Sequence, residues 1–375
     1  MANSNSLFVF QKIISGIEHM RKMLYLSLFV LSIFFSGCEG LPPDSQNWTF
    51  NWNISAPFEQ GINPQILDSA FISARQKGYV DALLVIRNGY LLREEYYNGY
   101  DVNTPHNIMS VSKGLLSCMA GIALRNGIIP SLDKKVIDYF PEYIYEGMDE
   151  RKYDITIRHL LTMRMGIDGE ENNLFQVMAT NDWIKTTIEL PLLYSPGEKF
   201  LYNTLETHLF SAILTKASGM NTLTFATGYL TNPMGIKIHD WYKDPQGYYR
   251  GGWDMFLIPR EMAVLGYLYL KKGKLNGIQI VPREWVEASL TKTWANDSPQ
   301  WGVLTDYNYG YLWWLGKING FNMFWALGYG GQMVITFPEL KLIVVTTADY
   351  NVGWEVDHER PILEIVSKYI LPAVQ

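Results

Sequence analysis

Cysteine is nearly absent from this chain. It occurs twice in 375 residues, as Cys38 and Cys118, which excludes a disulfide-stapled scaffold and a cysteine-rich metal module. The six histidines form no His-Glu-x-x-His or Cys/His pattern of zinc spacing. There is also no P-loop, and no Gly-x-Gly-x-x-Gly opening a helix after a strand, so neither a metal nor a cofactor is expected. Charged residues make up only 18% of the chain and sum to −6, which argues against a nucleic-acid partner. A membrane-spanning helix needs roughly 20 apolar residues, whereas the N-terminal run Leu24 to Phe35 has twelve. No internal repeat or low-complexity tract is present. What remains is 48% hydrophobic and 14% aromatic, a globular composition with ample core for one large domain or two interleaved ones.

The N-terminus carries a signal of its own. Arg21 and Lys22 precede the apolar run, and Phe35-Ser36-Gly37-Cys38 follows it. A basic flank, a short apolar core and small residues before a cut site make a secretory signal. The small pair ahead of Cys38 resembles a bacterial lipobox. That implies cleavage before Cys38, lipid attachment there, and an exported, membrane-anchored lipoprotein of the bacterial cell envelope. The competing reading is an uncleaved anchor. Residues 1–19 fit neither pattern, so Met20 or Met23 is the expected start. The expected organisation is a signal segment at 1–37, a tether at 38–57, a sheet domain from 58–105 and 300–375, and a mainly helical domain at 106–299.

Periodicity supports that division. Ile66 to Gln76 has helical spacing, and Ala82 to Ile86 and Tyr90 to Tyr96 are strand-like runs joined through Asn88-Gly89, a strong hairpin signal. Ser110 to Arg125 reads as a long apolar helix, followed by helical segments such as Ile157 to Met163 and Leu205 to Ala217. Four β-runs come near the end, at Tyr311 to Leu315, Met323 to Leu327, Met333 to Phe337 and Leu342 to Thr347, before a closing helix at Pro361 to Ile370. Strands at both ends with helices between predict an α+β fold: an antiparallel sheet flanked by helices, built from both chain ends, with an inserted helical domain.

Three motifs carry chemistry. In Ser110-Val111-Ser112-Lys113 the two outer residues share a helix face, so the amine can meet the hydroxyl. A serine needs an adjacent base to attack at neutral pH, and a lysine serves only if its pKa is lowered. Ser289-Leu290-Thr291-Lys292 repeats the spacing, so spacing alone decides nothing. Ser110 differs in lying between a strand hairpin and a long apolar helix. Downstream, Pro196-Gly197 leads to Tyr202-Asn203-Thr204, where a tyrosine can relay a proton. Gly328-Tyr329-Gly330-Gly331 forms a glycine-rich corner after a strand, able to bring backbone N–H groups close to a ligand.

Together these residues resemble the serine β-lactamase-related hydrolases on the class C β-lactamase fold, a family with β-lactamase, DD-peptidase, esterase and 6-aminohexanoate-dimer hydrolase members. The resemblance covers roughly residues 58 to 370. It includes Leu84 to Gly89, Ile155 to Met163, Pro196-Gly197, Gly251-Gly252-Trp253 and Gly328 to Gln332 besides the motifs above. It implies that Ser110 is acylated and that Lys113 and Tyr202 handle protons, with the first acceptor left open. It also implies an oxyanion hole made by the backbone of Ser110 and Tyr329, with Gly328 as the register alternative, and substrate contacts at Thr204 and Gly330. The expected substrate is a small-molecule or short-peptide ester or amide.

Two departures bear on specificity. Thr204 stands where the family often has an asparagine, and Ala326-Leu327-Gly328 replaces a Lys-Thr-Gly or His-x-Gly strand. Both argue against β-lactamase activity, unless a loop cation such as Arg250 supplies the missing charge. His106, His159, His208 and Cys118 are expected to pack or cap. Most of Trp313, Trp314, Trp325, Tyr350 and Trp354 are expected in the core. The reading from a different class is a non-catalytic receptor for peptidoglycan fragments or peptides on the same fold, which would have no need of the Ser110, Lys113 and Tyr202 set.

Overall fold

The computed structural model describes residues 48–295, 300–353 and 355–375. The signal segment, Cys38 and Trp354 lie outside the described residues. The hairpin forms at the predicted place: β2 (Val80–Arg87) and β3 (Tyr90–Tyr96) pair from Arg87 opposite Tyr90. Asn88 and Gly89 take φ of 56° and 88°, the left-handed pair that a two-residue turn with the strands' own twist requires. β1 (Asn53–Ile54) joins β3 in parallel at one edge, so the segment 48–57 is packed on the fold. Trp52 is buried and its indole N–H donates to Arg260 O.

The C-terminal run supplies the rest of the sheet: β4 (Trp294–Ala295), β5 (Gln300–Trp301), β6 (Leu304–Tyr309), β7 (Trp314–Ile318), β8 (Phe321–Gly328), β9 (Gln332–Phe337) and β10 (Leu342–Ala348). The order is β1-β3-β2-β10-β9-β8-β7-β6-β5, with β4 beside β6. All pairs but the first are antiparallel. The first and last stretches of the fold therefore meet at β2 and β10 in mid-sheet.

One predicted strand is displaced. Tyr311 to Trp313 is a turn, with Leu312 at φ 64°, held by Ser117 Oγ donating to Tyr311 O and by Leu312 N–H donating to Leu161 O. Pairing starts only at Trp314. Strand β6 went unpredicted because Leu304-Thr305-Asp306-Tyr307-Asn308-Tyr309 is largely polar.

Alternation along the strands sorts two cores. Phe324, Ala326, Ile343 and Val345 face the larger one, which holds the mid-chain helices. Met323, Trp325, Leu342 and Val344 face the other, under α1 (Pro64–Lys77) and the C-terminal helix. Helix α2 (Ser112–Arg125) is apolar on every side, and twelve of its fourteen residues are buried; it runs through the larger core. A small three-stranded sheet, His106–Asn107 with Met255–Leu257 and Asp240–Trp241, sits beside its start.

Candidate active site

Ser110 occupies a single 3-10 turn, Met109–Val111, which runs directly into α2. Met109 has φ 46°, a left-handed conformation that costs a non-glycine residue roughly 1–3 kcal/mol. Flanking contacts maintain it. Met109 N–H donates to Asn107 Oδ1 at 3.0 Å, and Ser112 Oγ donates back to Met109 O at 2.7 Å. Asn107 is itself anchored on Asp254. The result is a half-buried Ser110 whose next turn of helix begins with Lys113.

Lys113 is only 2% exposed, and its Nζ contacts Ser110 Oγ at 2.7 Å, Thr204 Oγ1 at 2.9 Å and Gly252 O at 3.0 Å. Desolvation pushes its pKa down from 10.5 to about 8, against the opposing pull of the Glu170 charge. The polarity of these contacts can be assigned. Thr204 Oγ1 donates to Glu170 Oε2, so toward Lys113 it must accept, and Gly252 O can only accept. Both contacts therefore use N–H groups of the lysine. In the neutral amine, the lone pair is left facing the Ser110 hydroxyl.

Gly252 has φ 103°, and a Cβ there would lie 2.5 Å from Thr207 Oγ1 and 3.0 Å from the Lys113 side chain. Only glycine brings this carbonyl so close. The turn is clamped by Thr207 Oγ1 donating to Gly251 O and by Gly251 N–H donating to His208 Nδ1. That leaves the His208 proton on Nε2, which meets Asp244 Oδ2 at 2.9 Å. His208 thus supports the site from behind.

Tyr202 precedes Asn203, whose side chain caps helix α4 (Thr204–Ser218) by accepting Leu205 N–H. Asn203 Nδ2 also donates to Asp168 O at 2.7 Å, and Glu170 N–H to Tyr202 O at 3.3 Å. These bonds bring α3 (Glu170–Met178) against the Tyr-Asn-Thr element. The half-buried Tyr202 ring stacks on Trp314 at 5.4 Å, and Lys113 Nζ lies 4.9 Å from its centroid, which places the ring beside the serine centre. Burial, reinforced by the Glu170 charge, holds the phenol well above its usual pKa. Ser110 therefore stands between a lysine biased toward its neutral form and a tyrosine held neutral.

The glycine corner closes over this group. A Cβ on Gly328 would lie 2.5 Å from Ile108 O, so the end of β8 abuts the residues just before Ser110. Among the described residues, neither the Ser110 nor the Tyr329 N–H has an internal acceptor. Gly330 differs, because its N–H donates to Glu359 Oε1 at 3.2 Å. Thr204 is 1% exposed, with its hydroxyl engaged by Lys113 and Glu170. The structure thus brings Ser110, Lys113, Tyr202 and Thr204 together with Gly328 and Tyr329. Glu170 went unassigned in the sequence, Gly252 entered only through the resemblance at Gly251-Gly252-Trp253, and His208 was expected only to pack or cap.

The residues set aside fall elsewhere. Ser289 is fully buried and donates to Val286 O, while Lys292 pairs with Asp306. His106 stacks on Tyr100 and approaches Thr347. Its Nδ1 lies 3.9 Å from Asp81, yet burial drives the imidazole down to about 4 and the carboxyl up to about 6, so at neutral pH an uncharged imidazole faces the carboxylate and the two form no ion pair. Arg250 pairs with Asp254, its guanidinium 5.0 Å from the Trp183 ring centroid. Cys118 is buried, with its thiol pushed up to about 12.

Comparison with known proteins places this geometry. The Beta-lactamase family profile matches residues 70–365. The 6-aminohexanoate-dimer hydrolase of Paenarthrobacter ureafaciens is 23% identical over 300 residues, covering 72% of each chain. Among solved structures, a Bacillus anthracis protein provisionally assigned as a 6-aminohexanoate-dimer hydrolase superposes with TM-score 0.69 at 19% identity, covering 87% of this chain and 88% of that one. EstCE1, described as a hydrolase with promiscuous acyltransferase activity, gives TM-score 0.64 at 16% identity, covering 83% and 98%. With four-fifths of the chain matched by one profile and the same fold in each of these structures, the protein belongs to the Beta-lactamase family of serine hydrolases.

Proposed function

We propose that this protein cleaves an ester or amide through an acyl-Ser110 intermediate. The observation that carries the reading is the buried Lys113 amine, 2.7 Å from Ser110 Oγ, with its other contacts fixed as donors. Neutral Lys113 takes the Ser110 proton as Oγ attacks the substrate carbonyl carbon. The Ser110 and Tyr329 N–H groups stabilise the oxyanion, in a manner worth ~3–4 kcal/mol per donor in other hydrolases. Tyr202, held neutral by burial and set beside Lys113, gives its proton to the leaving oxygen or nitrogen and recovers one from the Lys113 ammonium. Water then attacks the acyl carbon as the same pair takes its proton, and that proton passes to Ser110 Oγ as the acyl bond breaks and the acid leaves.

Simple esters and amides fit the site better than β-lactams. The strand that would carry a carboxylate-binding lysine reads Ala326-Leu327-Gly328, and Arg250 is held by Asp254. The hydrolase and acyltransferase described among the structural neighbours accords with this. Export and lipid attachment at Cys38 belong to the same proposal and rest on residues 21–38 alone. Fluorophosphonate labelling tests the acyl-enzyme: the wild type should be labelled on the peptide containing Ser110 and Ser110→Ala should not. A label on any other peptide would overturn the assignment.

A further inference from the structure

From Ser110 a row of rings leads across the sheet. Tyr202 stacks on Trp314 at 5.4 Å and 22°, and Trp314 on Tyr307 at 4.8 Å and 11°. All three are half-buried, so each keeps an accessible edge. Glu359, the first residue of α5 (Glu359–Ile365), stands toward the Tyr307 end: the next residue, Arg360, lies against Gly302 in the turn between β5 and β6, and Trp301 of β5 stacks on Tyr307 at 6.1 Å. Its Oε1 accepts Gly330 N–H, which ties it to the corner that carries Tyr329.

Among the described residues Glu359 has no cationic partner; the adjacent Arg360 is turned to Asp357. A carboxylate accepts up to about four hydrogen bonds, and this one is half-buried with a single backbone donor from the corner. Burial lifts its carboxyl above the usual carboxylate value. Lys113 is engaged in the serine centre, and Lys292 and Lys317 pair with Asp306 beside Tyr307.

We propose that Glu359 receives a cationic group of the substrate whose carbon skeleton lies along the Tyr202–Trp314–Tyr307 edges, so that the preferred substrates are esters or amides bearing an ammonium or related cation. This deepens the acyl-Ser110 reading and rests on it. The carboxylate supplies charge, the ring edges supply apolar contact, and a substrate carboxylate in the same place meets repulsion.

The test uses p-nitrophenyl esters of one acyl chain ending in trimethylammonium, tert-butyl or carboxylate, with the chain long enough that the carboxylate does not close onto the ester as a cyclic anhydride. The wild type should favour the trimethylammonium ester over its tert-butyl isostere about tenfold or more in kcat/KM, with the carboxylate poorest. Glu359→Gln, which keeps an acceptor for Gly330, should bring the ratio of the first two close to one, chiefly through KM. Glu359→Lys should reverse the order. An unchanged ratio in both variants, or a wild type that prefers the carboxylate, overturns the proposal. Calorimetric binding of the matching amides to Ser110→Ala, with and without Glu359→Gln, reads the charge preference without turnover. Charge-selective binding with no labelling of Ser110 would reject the acyl-enzyme and keep the subsite. Labelling and ester turnover without charge preference would reject the subsite alone.

Discussion

Lys113 and Glu170 are joined through one hydroxyl and not as an ion pair: Lys113 Nζ donates to Thr204 Oγ1 at 2.9 Å, and that oxygen donates to Glu170. The carboxylate thereby sets the direction of the Thr204 hydroxyl and, through it, the face of the amine that meets Ser110. It also raises the Lys113 pKa by its charge.

Glu170→Gln should act on both counts. With wild type, kcat/KM for a neutral ester should rise with pH through a limb near pH 8, because only the neutral amine accepts the proton. Removing the Glu170 charge lowers the lysine pKa, so the limb should move to lower pH. The plateau should fall by about tenfold, because an amide can orient Thr204 either way. A pH–rate profile with an unmoved limb would show that Glu170 does not act through Lys113.

Lys113→Ala and Tyr202→Phe should each lower kcat/KM about 100-fold or more, and the double variant should lose far less than the product. Lys113 bonds Ser110 Oγ and its amine lies 4.9 Å from the Tyr202 ring centroid, so losing either breaks one relay. Losses that multiply in full would assign them independent roles.

Stability should fall with rising pH at one residue outside the relay. Glu206 is fully buried, with one carboxyl oxygen accepting Met165 N–H and the other without a partner in the described structure. Burial raises its pKa well above 4.5. A raised folded-state pKa means that stability is complete below the unfolded value and is lost as pH climbs through the folded one. Glu206→Gln should therefore flatten the decline in Tm from pH 5 to pH 9, measured by thermal melts. Parallel declines in both proteins would place the sensitive group elsewhere.

Nitrocefin should be a poor substrate beside p-nitrophenyl butyrate. A charge-assisted hydrogen bond to a β-lactam carboxylate is worth about 1.5–3 kcal/mol, or roughly 10- to 150-fold, and the Ala326-Leu327-Gly328 strand supplies no side-chain cation. A higher kcat/KM for nitrocefin than for the ester would reverse this expectation.

Cys38→Ser should abolish palmitate incorporation and release the protein from the membrane fraction. A mature N-terminus upstream of Cys38 would count against lipidation.

The sequence by itself determined the hairpin at Asn88-Gly89, the long helix after Ser110 and the three C-terminal β-runs from Met323 onward, because each is written in local periodicity or turn chemistry, and it determined the family through the resemblance carried by several motifs in order and spacing. It also separated Ser110 from Ser289 by context, which the structure accounts for: one hydroxyl meets a buried amine, while the other is spent on its own helix. Tertiary structure alone decided the rest. The carbonyl that orients Lys113 comes from a residue 139 positions away, and the carboxylate that directs Thr204 comes from 34 positions away. Glu170 does not differ locally from the other glutamates of the chain, and the Gly251-Gly252-Trp253 segment marks Gly252 without saying which donor its carbonyl meets. What an acceptor does depends on which donor it faces after folding, and the chain's periodicities record which face of a strand or helix is buried but not which groups meet there.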